Sequence, residues 1–444
     1  MSRRLKVSDN GRLLIYDDGR PFFYLGDTAW ELFHRLDREQ AERYLRHRAE
    51  NGYTVIQVVV LAELDGLHTP NPYGHTPLHD DDPGKPNEAY FAHVDWVVDR
   101  IEQLGMWVGM LPTWGDKWYP KIGAGPVVFT PENAGTYGRW LGKRYRDKPI
   151  IWVLGGDRPV DDDEQLRIVR AMAEGLRDGD GGCHLCTFHP RGGNSSARHV
   201  HRESWLDFNM LQSGHGAGRD TPTWDMIAAD CALDPVKPTL DGEPNYEDHP
   251  VNPWPTWDPA NGYFRDHDVR KQLYRSVFAG GCGVTYGHHF VWQMYDKGRE
   301  PCNNGDELFP WHEAIDRPGA RQAQHLRALM ESRPFTSRIR DNSLVTSPLG
   351  EGAEHIEATR DEHGSYAFVY LPAGGQVSVN MATIGGDTAS VHWFDPRTGN
   401  AAAAGEQPAQ GTQTFEAPAD GPDWVLVLDD ASRGFGAPGR PTDG

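Results

Sequence analysis

The feature that most constrains this chain is a repeated beat of short apolar runs followed by segments of helical spacing. Strand-length runs occur at Phe22–Leu25, Val55–Val60, Trp107–Leu111, Ile150–Leu154, His184–Phe188, Phe208–Leu211, Pro238–Leu240 and Gly283–Tyr286. Between most of them the apolar residues recur with helical period, as in 38–51, 90–104, 132–146, 161–176, 221–231, 266–279 and 318–330. Only the gap between the fifth and sixth runs lacks a clear helix. Eight strand-then-helix units within about 310 residues predict an α/β fold, a (β/α)8 TIM barrel, over a doubly wound open sheet. The links entering each strand are short, such as Asn51-Gly52-Tyr53 and Asp147-Lys148-Pro149. The links leaving them are long, about 28 residues after Val60 and about 25 after Leu240. Elaborate loops at the C-terminal ends of the strands are where such barrels keep their active sites.

Near Thr336 the beat changes to short strands separated by Gly, Pro and Asp turns: 355–359, 366–371, 377–380, 390–394, 413–417 and 424–428. These predict an antiparallel β-sandwich. The expected organisation is a barrel over 1–335, a sandwich over 336–432 and a flexible tail over 433–444. A short hairpin around Asp17-Asp18-Gly19 is expected ahead of the barrel, and Ala401–Ala404 reads as part of a sandwich loop.

Charge and cysteine usage remove several function classes. The 44 Lys and Arg against 64 Asp and Glu leave a net charge of −20, which repels phosphate backbones and anionic membranes. Nucleic-acid and membrane partners are therefore not expected. Five cysteines at irregular spacing fit a reduced interior better than a disulfide framework. The basic N-terminus is not followed by an apolar signal-peptide core, which makes the cytoplasm the expected compartment. A homo-oligomer is left open.

Candidate chemistry falls where the predicted strands end. Asp157 follows the fourth strand behind Gly155-Gly156, and Glu243 follows the seventh behind Asp241-Gly242. Glycosidic bonds are cleaved by such a pair of carboxyl groups, one protonating the leaving oxygen, the other attacking the anomeric carbon or activating water. Asp27, Trp30, His34, Gln57, Trp114, His189, Gln212, Asp241, His288 and Trp292 are the expected sugar-holding residues. Their rings supply apolar faces and their polar groups bind hydroxyls. A metal-dependent hydrolase built on His199, His201 and an aspartate is one alternative, and a non-catalytic sugar-binding barrel is another. No phosphate-cradling or dinucleotide motif occurs, so neither cofactor nor metal is expected.

Four motifs in this order, Leu25-Gly26-Asp27-Thr28-Ala29-Trp30, Trp152-Val153-Leu154-Gly155-Gly156-Asp157, Asp241-Gly242-Glu243-Pro244 and Tyr286-Gly287-His288, resemble the apiosidase-like glycoside hydrolases (glycoside hydrolase family 140). The resemblance spans roughly residues 5 to 335, and the sandwich resembles that family's usual C-terminal domain. It implies a (β/α)8 barrel, release of D-apiose from plant glycans, and a catalytic pair that maps onto Asp157 and Glu243. The expected substrate is a small carbohydrate or glycoside with a terminal furanosyl residue, cleaved in exo fashion with retention.

Overall fold

The computed structural model describes residues 4–302 and 305–440. A hairpin of β1 (Leu5–Val7) and β2 (Leu14–Tyr16) opens the chain. Its reversal runs through residues 8–13, not through the expected Asp17-Asp18-Gly19. That tripeptide forms a second, tighter turn, with Gly19 N–H donating to Tyr16 O and a bridge from Ile15 to Pro21.

Nine further strands form one sheet: β3 (Tyr24–Thr28), β4 (Val55–Leu61), β5 (Trp107–Thr113), β6 (Ile150–Gly155), β7 (Cys186–His189), β8 (Asn194–Ser195), β9 (Asn209–Gln212), β10 (Thr239–Asp241) and β11 (Gly283–Tyr286). Their order is β7-β6-β5-β4-β3-β11-β10-β9-β8, all parallel except for the antiparallel β8. The seam between β7 and β9 closes through a few bonds, not a ladder. Asp207 N–H donates to Cys186 O (2.8 Å), Cys186 N–H to the Asp207 carboxylate (2.8 Å), and Thr187 Oγ1 to Phe208 O (2.7 Å). The result is a nearly closed eight-stranded barrel. Every residue of β4, β5 and β6 is buried, as expected of parallel strands covered on both faces.

The surrounding helices are α1 (Leu32–Arg35), α2 (Arg38–Glu50), α3 (Glu88–Gln103), α4 (Pro131–Tyr145), α5 (Asp163–Asp180), α6 (Ala197–Val200), α7 (Thr223–Cys231), α8 (Asp266–Phe278), α9 (Trp311–Ala314) and α10 (Pro318–Glu331). Their starts are set by local chemistry: the Asp37 carboxylate caps α2, and Thr130 and Asn133 close a capping box on α4. In the gap without helical periodicity, α6 is a single turn. No helix among the described residues is long and apolar enough to cross a membrane, and the five cysteines are free.

Beyond α10, a six-stranded antiparallel sheet takes the order β12-β13-β14-β19-β16-β17, and β15 pairs with β18 across a shared core. These strands are β12 (Arg338–Arg340), β13 (Glu357–Asp361), β14 (Tyr366–Leu371), β15 (Gln376–Asn380), β16 (Thr388–Phe394), β17 (Ala401–Pro408), β18 (Thr412–Glu416) and β19 (Trp424–Asp430). Ala401–Ala404 is thus the start of edge strand β17, not loop: it pairs with Phe394–His392 despite weak intrinsic strand preference. Alternation along β14 explains why that run is apolar throughout. Ala367, Val369 and Leu371 face the sheet domain's own core, while Tyr366, Phe368 and Tyr370 join the barrel's.

The contact with the barrel is extensive and centres on α8. Tyr274 stacks on Tyr370 (4.9 Å between centroids), and Arg270 grips the buried Asp423 through two bonds of 2.9 and 2.7 Å. Arg333 holds Asp429 in the same bidentate way, at 2.7 Å for both bonds. The tail expected to be loose lies against the molecule through residue 440, with Arg333 donating to Gly436 O and Gly439 N–H to Ser332 Oγ. Residues 441–444, also assigned to that tail, lie outside the described residues.

Candidate active site

The turn after β6 brings Asp157 to the barrel mouth. Gly155, Gly156 and Asp157 all have positive φ (94°, 83° and 60°). At Gly155 a Cβ would lie 2.2 Å from His189 O, and at Gly156 2.5 Å from Gly115 N, so no side chain fits either position. Aspartate is among the residues that tolerate the left-handed conformation best, although it still carries strain there. The Asp157 carboxylate accepts a 2.6 Å bond from Arg158, whose guanidinium also approaches Glu63 (3.6 Å). Burial, and then the charge of Glu243, raise the Asp157 pKa against the opposing pull of Arg158 and His189.

Glu243 emerges from β10 into a different environment. His215 Nε2 lies 3.2 Å from Oε1, and His189 Nε2 lies 3.0 Å from Oε2. Burial would raise this carboxyl, but the two imidazoles outweigh it and hold Glu243 down at about 2. The surroundings thus shift the two carboxyls in opposite directions, Glu243 down and Asp157 up.

Both groups line a cavity of about 590 Å³ at the C-terminal mouth of the barrel. Of the expected sugar-holding residues, Trp30, Trp114, Gln212 and Trp292 are on its wall. His189 sits behind Trp30 and Trp114 (ring centroids 5.3 and 6.0 Å) and reaches Glu243. The other five do not line it, because each is engaged by the scaffold. Buried Asp27 accepts from Arg48 (2.7 Å) and from Tyr44 OH. His34 bonds to Glu31 (2.6 Å) and Thr69 O (3.0 Å). Gln57 donates to Gly242 O (2.9 Å) and so braces the turn that carries Glu243. Asp241 accepts from Ser213 Oγ (2.6 Å), and burial pushes its carboxyl up to about 7. His288 Nε2 lies 3.1 Å from buried Asp248.

Several cavity residues were not selected from the sequence. Glu63, His215 and His289 follow strands β4, β9 and β11 and were visible as strand-end groups, and Arg158 is Asp157's neighbour. Tyr246, His249 and Trp254 come from the long loop after β10, which has no positional rule. His249 lies between His215 (stacked, 4.3 Å) and His289 (4.5 Å), and Trp254, 58% exposed, stands at the rim. The H-x-H pair is not part of the cavity: His201 is buried with Nδ1 3.1 Å from Asn209 Oδ1. Among the described residues, the group of three with metal-ligand proximity is instead Asp180, Cys183 and His184, at the opposite end of the barrel. His184 there already bonds to Asp180 (2.9 Å).

An eight-stranded barrel with paired, oppositely tuned carboxyls in an aromatic cavity is the architecture of a glycoside hydrolase. The chain belongs to the apiosidase-like family: residues 8–337 match its catalytic-domain model, and residues 339–429 match a model named for the collagen-binding domain of a collagenase. It is similar to a structure described as a glycoside hydrolase family 5 protein from Bacteroides vulgatus ATCC 8482, at 32% identity and TM-score 0.87, over 97% of this chain and 94% of that one. A second structure, described as a glycoside hydrolase, is 33% identical with TM-score 0.86 over 97% of both chains. A family 5 mannosidase from Rhizomucor miehei shares the fold alone, at 14% identity and TM-score 0.52 over 73% of this chain and 97% of that one. No curated protein sequence matches the chain. The protein is a glycosidase with an apiosidase-like catalytic domain.

Proposed function

We propose that this glycosidase removes a terminal furanosyl residue, D-apiose first among them, from small plant-derived glycosides, with Asp157 as acid/base and Glu243 as nucleophile. The observation that carries the roles is that both carboxyls line one cavity in different settings, Glu243 between the His189 and His215 imidazoles and Asp157 on the glycine turn after β6. Asp157 gives its proton to the glycosidic oxygen as the bond to the anomeric carbon breaks, and a Glu243 oxygen bonds to that carbon. In the second half, Asp157 takes a proton from water, whose oxygen displaces Glu243 and releases the sugar. The apiosidase-like match supports the choice of sugar. Exposed Trp254 at the rim offers a face for the leaving group.

Hydrolysis of a panel of nitrophenyl furanosides and apiosides by wild type, Asp157→Asn and Glu243→Gln tests this reading. Each variant is expected to lose at least about 100-fold in kcat/KM, the scale of one general acid or nucleophile. Proton NMR of the first-formed sugar anomer reads the stereochemistry. Either variant retaining more than a few per cent of activity refutes its assigned role.

A further inference from the structure

Glu63 follows β4 and enters the same cavity as Asp157 and Glu243. The loop that carries it is pinned from below, since Leu64 N–H donates to the fully buried Glu31 (3.1 Å). Glu31 is in turn held by His34 (2.6 Å) and Arg35 (3.5 Å). This gives His34 its place, two contacts behind the cavity wall. The Glu63 side chain is 24% exposed, and its one close polar neighbour among the described residues is Arg158 at 3.6 Å, beyond hydrogen-bond length. A rigidly mounted carboxyl in a sugar-sized cavity thus keeps its hydrogen-bonding capacity for something outside the protein.

We propose that Glu63 is a third functional carboxyl of this cavity, a substrate-contacting residue that hydrogen-bonds a hydroxyl of the bound sugar beside Asp157. It rests on the glycosidase reading and deepens it. The groups facing Glu63 are Asp157 and Arg158 from the turn after β6, Asp116 after β5, Glu31 beside α1 and Cys302 after β11. Of these five only Arg158 is a cation, while Asp116 is paired with Lys117 (2.8 Å) and Glu31 with His34 and Arg35. Burial first, and then the charge of Asp157, push the Glu63 carboxyl up to about 8. A carboxylate can only accept hydrogen bonds, whereas the acid form donates one and accepts another. That matches a sugar hydroxyl, itself both donor and acceptor.

The test pairs Glu63→Gln, which keeps a donor and an acceptor, with Glu63→Ala, which keeps neither. On whichever nitrophenyl glycoside the wild type hydrolyses, Glu63→Gln is expected to stay within about threefold of wild-type kcat/KM at pH 6. Glu63→Ala is expected to lose about 30-fold, with KM raised, as for one buried hydrogen bond left unmade. Carbon-13 NMR of side-chain carboxyls, recorded without substrate, should show one glutamate titrating near pH 8 that is missing from Glu63→Gln. Glu63→Ala retaining activity within threefold overturns the substrate contact. The absence of any glutamate titrating above pH 7 overturns the neutral state. Should the wild type hydrolyse no glycoside at all, the glycosidase reading fails, and the NMR titration still decides the state of Glu63.

Discussion

A carboxyl held neutral in a fold must weaken that fold as the pH rises, and Glu63 allows the size of the effect to be worked out. Its pKa rises from 4.5 to about 8 on folding. Between these values the unfolded chain releases the proton and the folded chain keeps it. Stability therefore falls by about 1.4 kcal/mol per pH unit across that window and is unaffected below about pH 4. At pH 7 the penalty sums to about 3 kcal/mol. With 24% of the side chain facing cavity water, about 2 kcal/mol is the working figure. Glu63→Gln has nearly the same shape and no titration, so it should be more stable than wild type by about that amount at pH 7 and equal to it at pH 4. For a chain of 444 residues, an unfolding entropy of about 0.9 kcal/mol/K turns this into a melting-temperature gain of about 2 °C. Differential scanning calorimetry at the two pH values measures it. A difference between the proteins that is the same at both pH values refutes the reasoning, because a packing effect would not follow the proton.

The imidazoles around Glu243 should set the acid limb of activity. Removing one with His215→Ala should raise the Glu243 pKa and shift the acidic limb of kcat/KM upward by about one pH unit, read from a full pH–rate profile. Trp254→Ala should raise KM several-fold with little change in kcat for aryl leaving groups, measured by initial rates, since the ring stands at the rim and not at the reacting bond. At the domain contact, Asp423→Ala leaves the buried Arg270 guanidinium with only Asp266 and Gln322 and removes the acceptor of Tyr370 OH, and should cost about 2–3 kcal/mol in denaturant unfolding. Unfolding should stay a single transition, because Tyr366, Phe368 and Tyr370 of β14 belong to the barrel's core as much as to their own sheet. Asp27→Asn should lower the melting temperature through the loss of its buried pair with Arg48, leaving KM within about twofold.

Legibility in the sequence followed the range of the forces involved. Strand runs such as Val55–Leu61 and amphipathic helices such as Glu88–Gln103 declare themselves within a few turns of chain, so the barrel and the positions after its strands could be read directly. The same local logic pointed to Asp157 and Glu243, since strand, glycine and carboxylate are adjacent in sequence. Ala401–Pro408 escaped because alanine has little strand preference of its own, and only pairing with β16 makes it a strand. Asp27, Asp241 and His288 stand at or just past strand ends, Gln57 lies within β4 and His34 in α1, and the partners that engage them include residues distant in sequence: Arg48 and Tyr44, Thr69, Gly242, Ser213, and Asp248. A polar residue turns to the ligand or into the scaffold according to which partner reaches it first, and that is a matter of three-dimensional packing. The sequence by itself determined the barrel and the end of it that carries chemistry, because hydrophobic periodicity and turn chemistry are local. Which acid is ionised, which is neutral and which merely braces a loop was decided only in the tertiary structure, where burial and charges from distant strands meet at one cavity.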